Sequence, residues 1–187
     1  MGFAIIGSMI ILVGASASGK TEIAKTLFAN YAIKKAITHT TRAMRQGEKN
    51  HVDYHFVSVE EFLQLKDQQA FVETTFYNGN YYGCSKAEIA DDKCVIVDPN
   101  GLASFLATGN SRIVAFYLRT SETTRRQRMA SRGDGEALLE SRIANDRISF
   151  AEDKLPPFSF ILDTDDKTVE ELAATVMTLY REKLNLR

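Results

Sequence analysis

Cysteine is scarce in this chain. Its 187 residues include two, Cys84 and Cys94, too few for a disulfide framework and without metal-ligand spacing. A disulfide-stapled secreted scaffold is therefore excluded, and the expectation is a cytoplasmic protein with two small buried or half-buried thiols. Proline is nearly as rare: Pro99, Pro156 and Pro157 are the three present. No Pro/Gly-rich linker, low-complexity tract or internal repeat divides the chain, which leaves one domain of ordinary size. An excess of either charge is also missing, with 23 Lys and Arg against 24 Asp and Glu. Long-range attraction to nucleic acid or an anionic membrane is not indicated, so any basic site must be local. The apolar start "MGFAIIGSMIILV" has no basic lead and no small-residue cleavage site, and it ends in glycine too early to span a bilayer, so it reads as neither signal peptide nor membrane span.

The apolar residues that are present fall into short runs. Met9–Val13, Lys93–Val97, Arg112–Leu118 and Phe158–Leu162 are rich in β-branched or aromatic residues, as in strands of a parallel sheet buried on both faces. Ala36–His39 is a weaker fifth strand. Helical patterns alternate with them: Thr21–Tyr31, with Ile23, Ala24, Leu27 and Phe28 inward, and Ser121–Ser131, with an acidic start and a basic end. Ser58 with Glu61 and Thr168 with Glu171 form capping boxes that open two further helices. Between Asp53 and Gly83, short runs separated by turn signals suggest a strand-rich insertion.

One bend carries chemistry. "GASASGKT", from Gly14 through Ala15, Ser16, Ala17, Ser18, Gly19 and Lys20 to Thr21, matches G-x-x-x-x-G-K-[ST] between an expected strand and an expected helix. Such a loop turns backbone N–H groups toward a phosphate chain at a helix N-terminus, with the lysine on the β/γ-phosphates and the hydroxyl on Mg²⁺. A plain strand-to-helix turn needs neither the lysine nor the hydroxyl. The loop is read as a nucleoside triphosphate site, with Mg²⁺ on Thr21.

Further along, Arg42 and Arg45 bracket a short loop, and a planar guanidinium fork suits a dianionic phosphate. Tyr54 and Tyr82 add hydroxyls, while Tyr81 reads as core. Arg125, Arg128 and Arg132 share one helical face, and Gly133 and Gly135 permit a hinge after them. Arg125 and Arg126 read as a solvated basic face. His39, His51 and His55 are scattered among polar loops, without partners at ligand spacing, although His39 adjoins Thr38.

The strings "TTRAMRQGEKNHVDYHFV" and "GNYYG", in that order after the phosphate loop, resemble the guanylate kinase family from about Met9 to Asp166. The resemblance implies a P-loop NTPase α/β fold, three-layer αβα, with a parallel sheet of about five strands, a small mixed-β nucleotide-binding insertion and a helical lid. Within one domain over 1–187 it implies a core at about 9–37, 91–124 and 156–187, an insertion at about 38–90 and a lid at about 125–155. The implied activity moves the γ-phosphoryl group of Mg·ATP to GMP, with no nucleic acid or membrane partner. Arg42, Arg45, Tyr54 and Tyr82 would hold the GMP phosphate. Glu73 would accept from guanine N1–H and N2–H₂, with Thr38, Cys84 and Asp98 completing the base pocket. Lys20, Arg128, Arg132 and Arg142 would surround the transferring group. The chain departs from the family at Ala15 and Ala17, which replace a proline and a glycine, and at Cys84, which replaces a hydroxyl. Ile96 replaces the first aspartate of D-x-D, leaving Asp98 to serve guanine, the metal through water, or both. Two rivals stay open: a kinase of similar build with another acceptor such as a ribose phosphate, and a non-catalytic protein-binding module.

Overall fold

A computed structural model describes residues 7–45, 47–77 and 79–185. In chain order the elements are β1 (Met9–Val13), α1 (Lys20–Tyr31), β2 (Lys34–Lys35), β3 (His39–Thr40), β4 (His55–Phe56), α2 (Val59–Asp67), β5 (Phe71–Tyr77), β6 (Asn80–Ser85), β7 (Lys93–Val97), α3 (Pro99–Leu106), β8 (Ile113–Arg119), α4 (Glu122–Ser131), α5 (Glu136–Ser149), β9 (Phe160–Asp163) and α6 (Val169–Leu184).

β1 explains the layering. All five of its residues are buried, and successive side chains point to opposite faces. Ile10 and Leu12 join Ile23 and Leu27 of α1 and Leu172, Val176 and Tyr180 of α6. Met9, Ile11 and Val13 join Leu102 and Phe105 of α3. A strand that must be apolar on both faces shows no alternation, which is why the run "MIILV" is continuous. The sheet order is β2-β7-β1-β8-β9, with every pairing parallel. Sheet and helices form the expected three layers.

Two readings need correction. The fifth strand is Lys34–Lys35 rather than Ala36–His39: Lys34 and Lys35 pair with Lys93 and Cys94, and Ala36 N–H makes a last bond to the Cys94 carbonyl at 2.7 Å. The chain then leaves the first sheet, and His39 pairs with His55 and Gly83 in a second one. Phe28, expected inward on α1, is 59 % exposed, because its α1 face is not covered by α6.

The second sheet is mixed, in the order β4-β3-β6-β5, and α2 closes one face of it by stacking Phe62 on Phe71 and Tyr81 at centroid distances of 4.6 and 5.3 Å. Tyr81, expected in the core, is instead half-buried, because its other ring neighbour is the exposed Phe76. Both capping boxes are present, Ser58 with Glu61 and Thr168 with Glu171. Beyond β8, α4 and α5 pack through Met129, Leu139 and Ile143, and Ala17 joins this small cluster.

Removing the Thr168 hydroxyl orphans the Glu171 N–H that it accepts at 3.2 Å. Thr168→Ala is expected to cost about 1 kcal/mol, lowering the melting temperature by about 2–4 °C for a chain of this size, with Thr168→Ser restoring most of it; a thermal unfolding series measures both.

Candidate active site

The phosphate loop begins where β1 has no more room. A Cβ on Gly14 would lie 2.6 Å from Ser18 Oγ and 2.9 Å from the Leu118 carbonyl oxygen. The chain reverses through Ala17 at φ 60° and Gly19 at φ 97°, both left-handed. For alanine that conformation costs about 1–2 kcal/mol. It is held by the contact of Ala17 with the Met129, Leu139 and Ile143 cluster and by Arg128 Nη1, which donates to the Ala17 carbonyl at 3.3 Å. Gly19 caps α1 without a side-chain bond, so the first-turn amides of the helix face outward, as anion binding requires. Lys20 Nζ donates to the Gly14 and Ala15 carbonyls at 2.6 and 2.8 Å. Burial pushes its pKa down to about 8, Asp146 opposing and Arg125 and Arg132 assisting. A cavity of 280 Å³ opens here, lined by Ala17, Ser18, Gly19, Lys20 and Thr21 and by Arg128 and Arg132 from the far side.

A second cavity, of 210 Å³, gathers Thr38, Tyr54, Glu73, Tyr82 and Asp98, five of the expected acceptor-site residues. Thr75 and Ile96 line it too. Burial pushes Glu73 up to about 7, against the Cys84 N–H that it accepts and with the help of nearby Asp98. Cys84 differs from expectation: its side chain is fully buried in the core, and its contribution to the pocket is the backbone N–H, 3.0 Å from Glu73 Oε1. Asp98 caps α3 by accepting from Gly101 N–H at 2.7 Å through one carboxylate oxygen, and it lines the cavity. Arg42 is gripped at 2.8 and 3.1 Å by both oxygens of Glu48 and lies over the Tyr54 ring. Arg45 stands exposed beside it, outside the cavity lining. A third cleft shares Thr21 with the first cavity and Ile96 with the second, and so adjoins both.

Among the other arginines, Arg132 and Arg142 both bond Asp134 Oδ2, at 3.1 and 2.8 Å; Arg142 does not line the loop cavity. Arg126 behaves as a surface residue paired with Glu122 and Glu140. Arg125 does not: it is 7 % exposed and paired with Asp146, itself buried, because its place on α4 faces α5 rather than solvent. Nor are the histidines scattered. The His39 and His55 rings lie 4.5 Å apart, and His51 Nδ1 is 2.7 Å from His55 Nδ1. β3 and β4 pair there, and His39 turns toward Phe71, away from the cavity that Thr38 lines. Burial holds His39 neutral, its pKa pushed down to about 4.

Sequence reasoning missed Glu48, Thr75 and Asp146. Glu48 lies inside the quoted string, six residues after Arg42, so its pairing was within reach. Asp146, a lone acid in a mixed-charge segment, carried no signal. Among the described residues no group of three His, Cys, Asp or Glu is placed to hold a metal, and no helix is long and apolar enough to cross a membrane.

The arrangement therefore pairs a basic cavity, suited to a polyphosphate, with a cavity whose carboxylates and hydroxyls suit the polar edge of a base. It offers charge and position rather than an acid–base dyad. A family model described as guanylate kinase matches residues 7–180. Over 168 residues the chain is 34 % identical to the guanylate kinase of Neisseria gonorrhoeae, covering 86 % of this chain and 81 % of that one. Over 182 residues it is 30 % identical to that of Chromohalobacter salexigens, covering 91 % and 83 %. The crystal structure of guanylate kinase from Anaplasma phagocytophilum shares the fold, with a TM-score of 0.63 at 22 % identity over 95 % of this chain and 86 % of that one. With most of its length matched by the family and by these relatives, the chain belongs to the guanylate kinase family.

Proposed function

We propose that the protein transfers the γ-phosphoryl group of ATP to GMP, giving ADP and GDP, in the cytoplasm. The observation that carries this reading is the pairing of Lys20, Arg128 and Arg132 in one cavity with Glu73 in an adjoining system that also holds Thr38, Tyr54, Tyr82 and Asp98.

The amides of Gly14–Thr21 and the Lys20 ammonium bind the ATP phosphates. Thr21 Oγ1 and the second oxygen of Asp98 are hard oxygen donors, which fits Mg²⁺ held mainly by phosphate and water. Bound there, the ion would neutralise charge on the β- and γ-phosphates. Arg42, Arg45, Tyr54 and Tyr82 hold the acceptor phosphate. Glu73 accepts from guanine N1–H and N2–H₂, with Thr38 at the base edge and Cys84 acting through its backbone. Arg128, Arg132 and Arg142 stabilise the charge that spreads over the moving group. Several of these arginines are already seated on carboxylates, Arg42 on Glu48 and both Arg132 and Arg142 on Asp134. A phosphate takes the place of those acceptors when the lid of α4 and α5 closes over the nucleotides.

Lys20→Ala is expected to lower kcat by about a hundredfold or more, as for loss of one transition-state charge, with an unchanged circular dichroism spectrum. Retention of activity within tenfold in a coupled ADP-release assay would overturn the assignment of the loop.

The acceptor is tested by pH. Glu73 with a pKa of about 7 is an acceptor above that pH and carries a proton toward guanine N1–H below it. KM for GMP should be level above pH 7 and rise by about tenfold per unit well below it, while KM for ATP stays level from pH 7 down to 5.5. Glu73→Gln should abolish that dependence and lower kcat/KM for GMP by about ten- to a hundredfold, the usual cost of mismatching a buried charged acceptor. Arg42→Ala should weaken GMP and AMP alike. A wild type that prefers a phosphate lacking guanine would move the assignment to a kinase with another acceptor.

A further inference from the structure

Asp146 sits on α5, outside both cavities described above as substrate sites, yet its carboxylate reaches the phosphate loop. Oδ2 accepts from Ser16 N–H at 3.0 Å and Oδ1 from Ser16 Oγ at 3.2 Å. Oδ2 also accepts from Arg125 Nη1 at 2.7 Å. The peptide joining Ala15 to Ser16 is thus held at both ends. Its N–H donates to Asp146, and its carbonyl, on the opposite side of the trans peptide plane, accepts from Lys20 at 2.8 Å. Rotating that peptide breaks both bonds.

The Arg125–Asp146 pair is a poor device for stability alone. Asp146 is 9 % exposed and Arg125 7 %, and buried ion pairs commonly contribute no more than apolar side chains of similar size. Among the described residues no acceptor meets the buried Arg125 Nε, which adds an unmet desolvation cost. What an apolar pair could not supply is an acceptor for the Ser16 amide.

We propose that Asp146 is a positioning residue for nucleotide binding: by fixing the Ala15–Ser16 peptide, it orients the carbonyl on which Lys20 rests and couples the α4–α5 segment to the loop. This rests on the reading of that loop as the ATP site. Asp146 does not touch the phosphates; it sets the shape that meets them. Its charge also favours the ammonium form of Lys20 against burial.

The test removes both charges of the pair. Arg125→Leu combined with Asp146→Ala leaves neither partner as an unpaired buried charge, so the fold should hold, with the melting temperature lowered by several degrees for the Ser16 N–H left without its acceptor. KM for ATP is expected to rise by about tenfold or more, the effect of losing hydrogen bonds to a charged acceptor, with KM for GMP within about twofold of the wild type. Ser16→Ala, which removes the hydroxyl bond and keeps the amide bond, should raise KM for ATP by about two- to threefold. The proposal is overturned if the double variant binds ATP as the wild type does, since Asp146 would then serve only to neutralise Arg125, or if both KM values rise together. Should the wild type fail to phosphorylate GMP, the proposed function falls on its own. Dissociation constants for ATP, measured by calorimetry on the same folded variants, then decide the role of Asp146 by the same ratios. If the double variant does not fold, Ser16→Ala with unchanged ATP affinity overturns the proposal.

Discussion

The site depends first on the close approach at the end of β1. Gly14 leaves no space for a side chain between Ser18 and Leu118, so the strand hands over to the loop against its parallel neighbour β8. Because β1 is the central strand and is buried on both faces, that handover is rigid. α1 is anchored by Ile23 and Leu27 in the core cluster shared with α6, which fixes the far side of the loop. A phosphate-binding turn needs little intrinsic stability when both of its ends are fixed in this way. This rigidity also allows Ala17 to remain left-handed at φ 60° without glycine.

The second organising feature is electrostatic. Most of the arginines around the site are balanced by a carboxylate a few residues away in sequence or on the adjoining helix: Arg42 by Glu48, Arg132 and Arg142 by Asp134, Arg125 by Asp146, Arg126 by Glu122 and Glu140. The near-zero net charge of the chain is therefore the sum of local pairs rather than a sign that basic sites are missing. Paired arginines hold their forks in place before a ligand arrives, and exchanging one oxyanion for another leaves fewer side-chain rotamers to be frozen on binding. Glu48 is well suited to that exchange because the Arg42 fork keeps its carboxyl charged, below the usual range.

The cavity around Glu73 shows how one departure from the family pattern is absorbed. Ile96, where a D-x-D pattern would have an acid, lines both the acceptor cavity and the neighbouring cleft. Of the two carboxylates that remain, Glu73 has its proton affinity raised by burial and then by Asp98. A third acid beside them would have raised it further, since like charges at close range disfavour ionisation. The apolar side chain therefore helps to keep Glu73 an acceptor near neutral pH.

Elements whose periodicity is set by local chemistry were legible in the sequence. The β1 run, α1, both capping boxes and the G-x-x-x-x-G-K-[ST] bend each depend on residues within a few positions of one another, and the structure bears them out. The cavities that collect Glu73, Thr38, Tyr54, Tyr82 and Asp98, and Lys20 with Arg128 and Arg132, were legible only through motif strings that resemble a family, since those residues come from separate strands and helices. Contacts between distant segments were decided by tertiary structure alone. The short edge strand at Lys34–Lys35 ends where the chain must cross to the second sheet. Phe28 faces outward because α6 covers a different side of α1. The three histidines meet because β3 pairs with β4. Arg125 and Asp146 are 21 residues apart, and no local pattern distinguishes a buried charge from a solvated one; only the packing of α4 on α5 excludes the water that would otherwise have satisfied both.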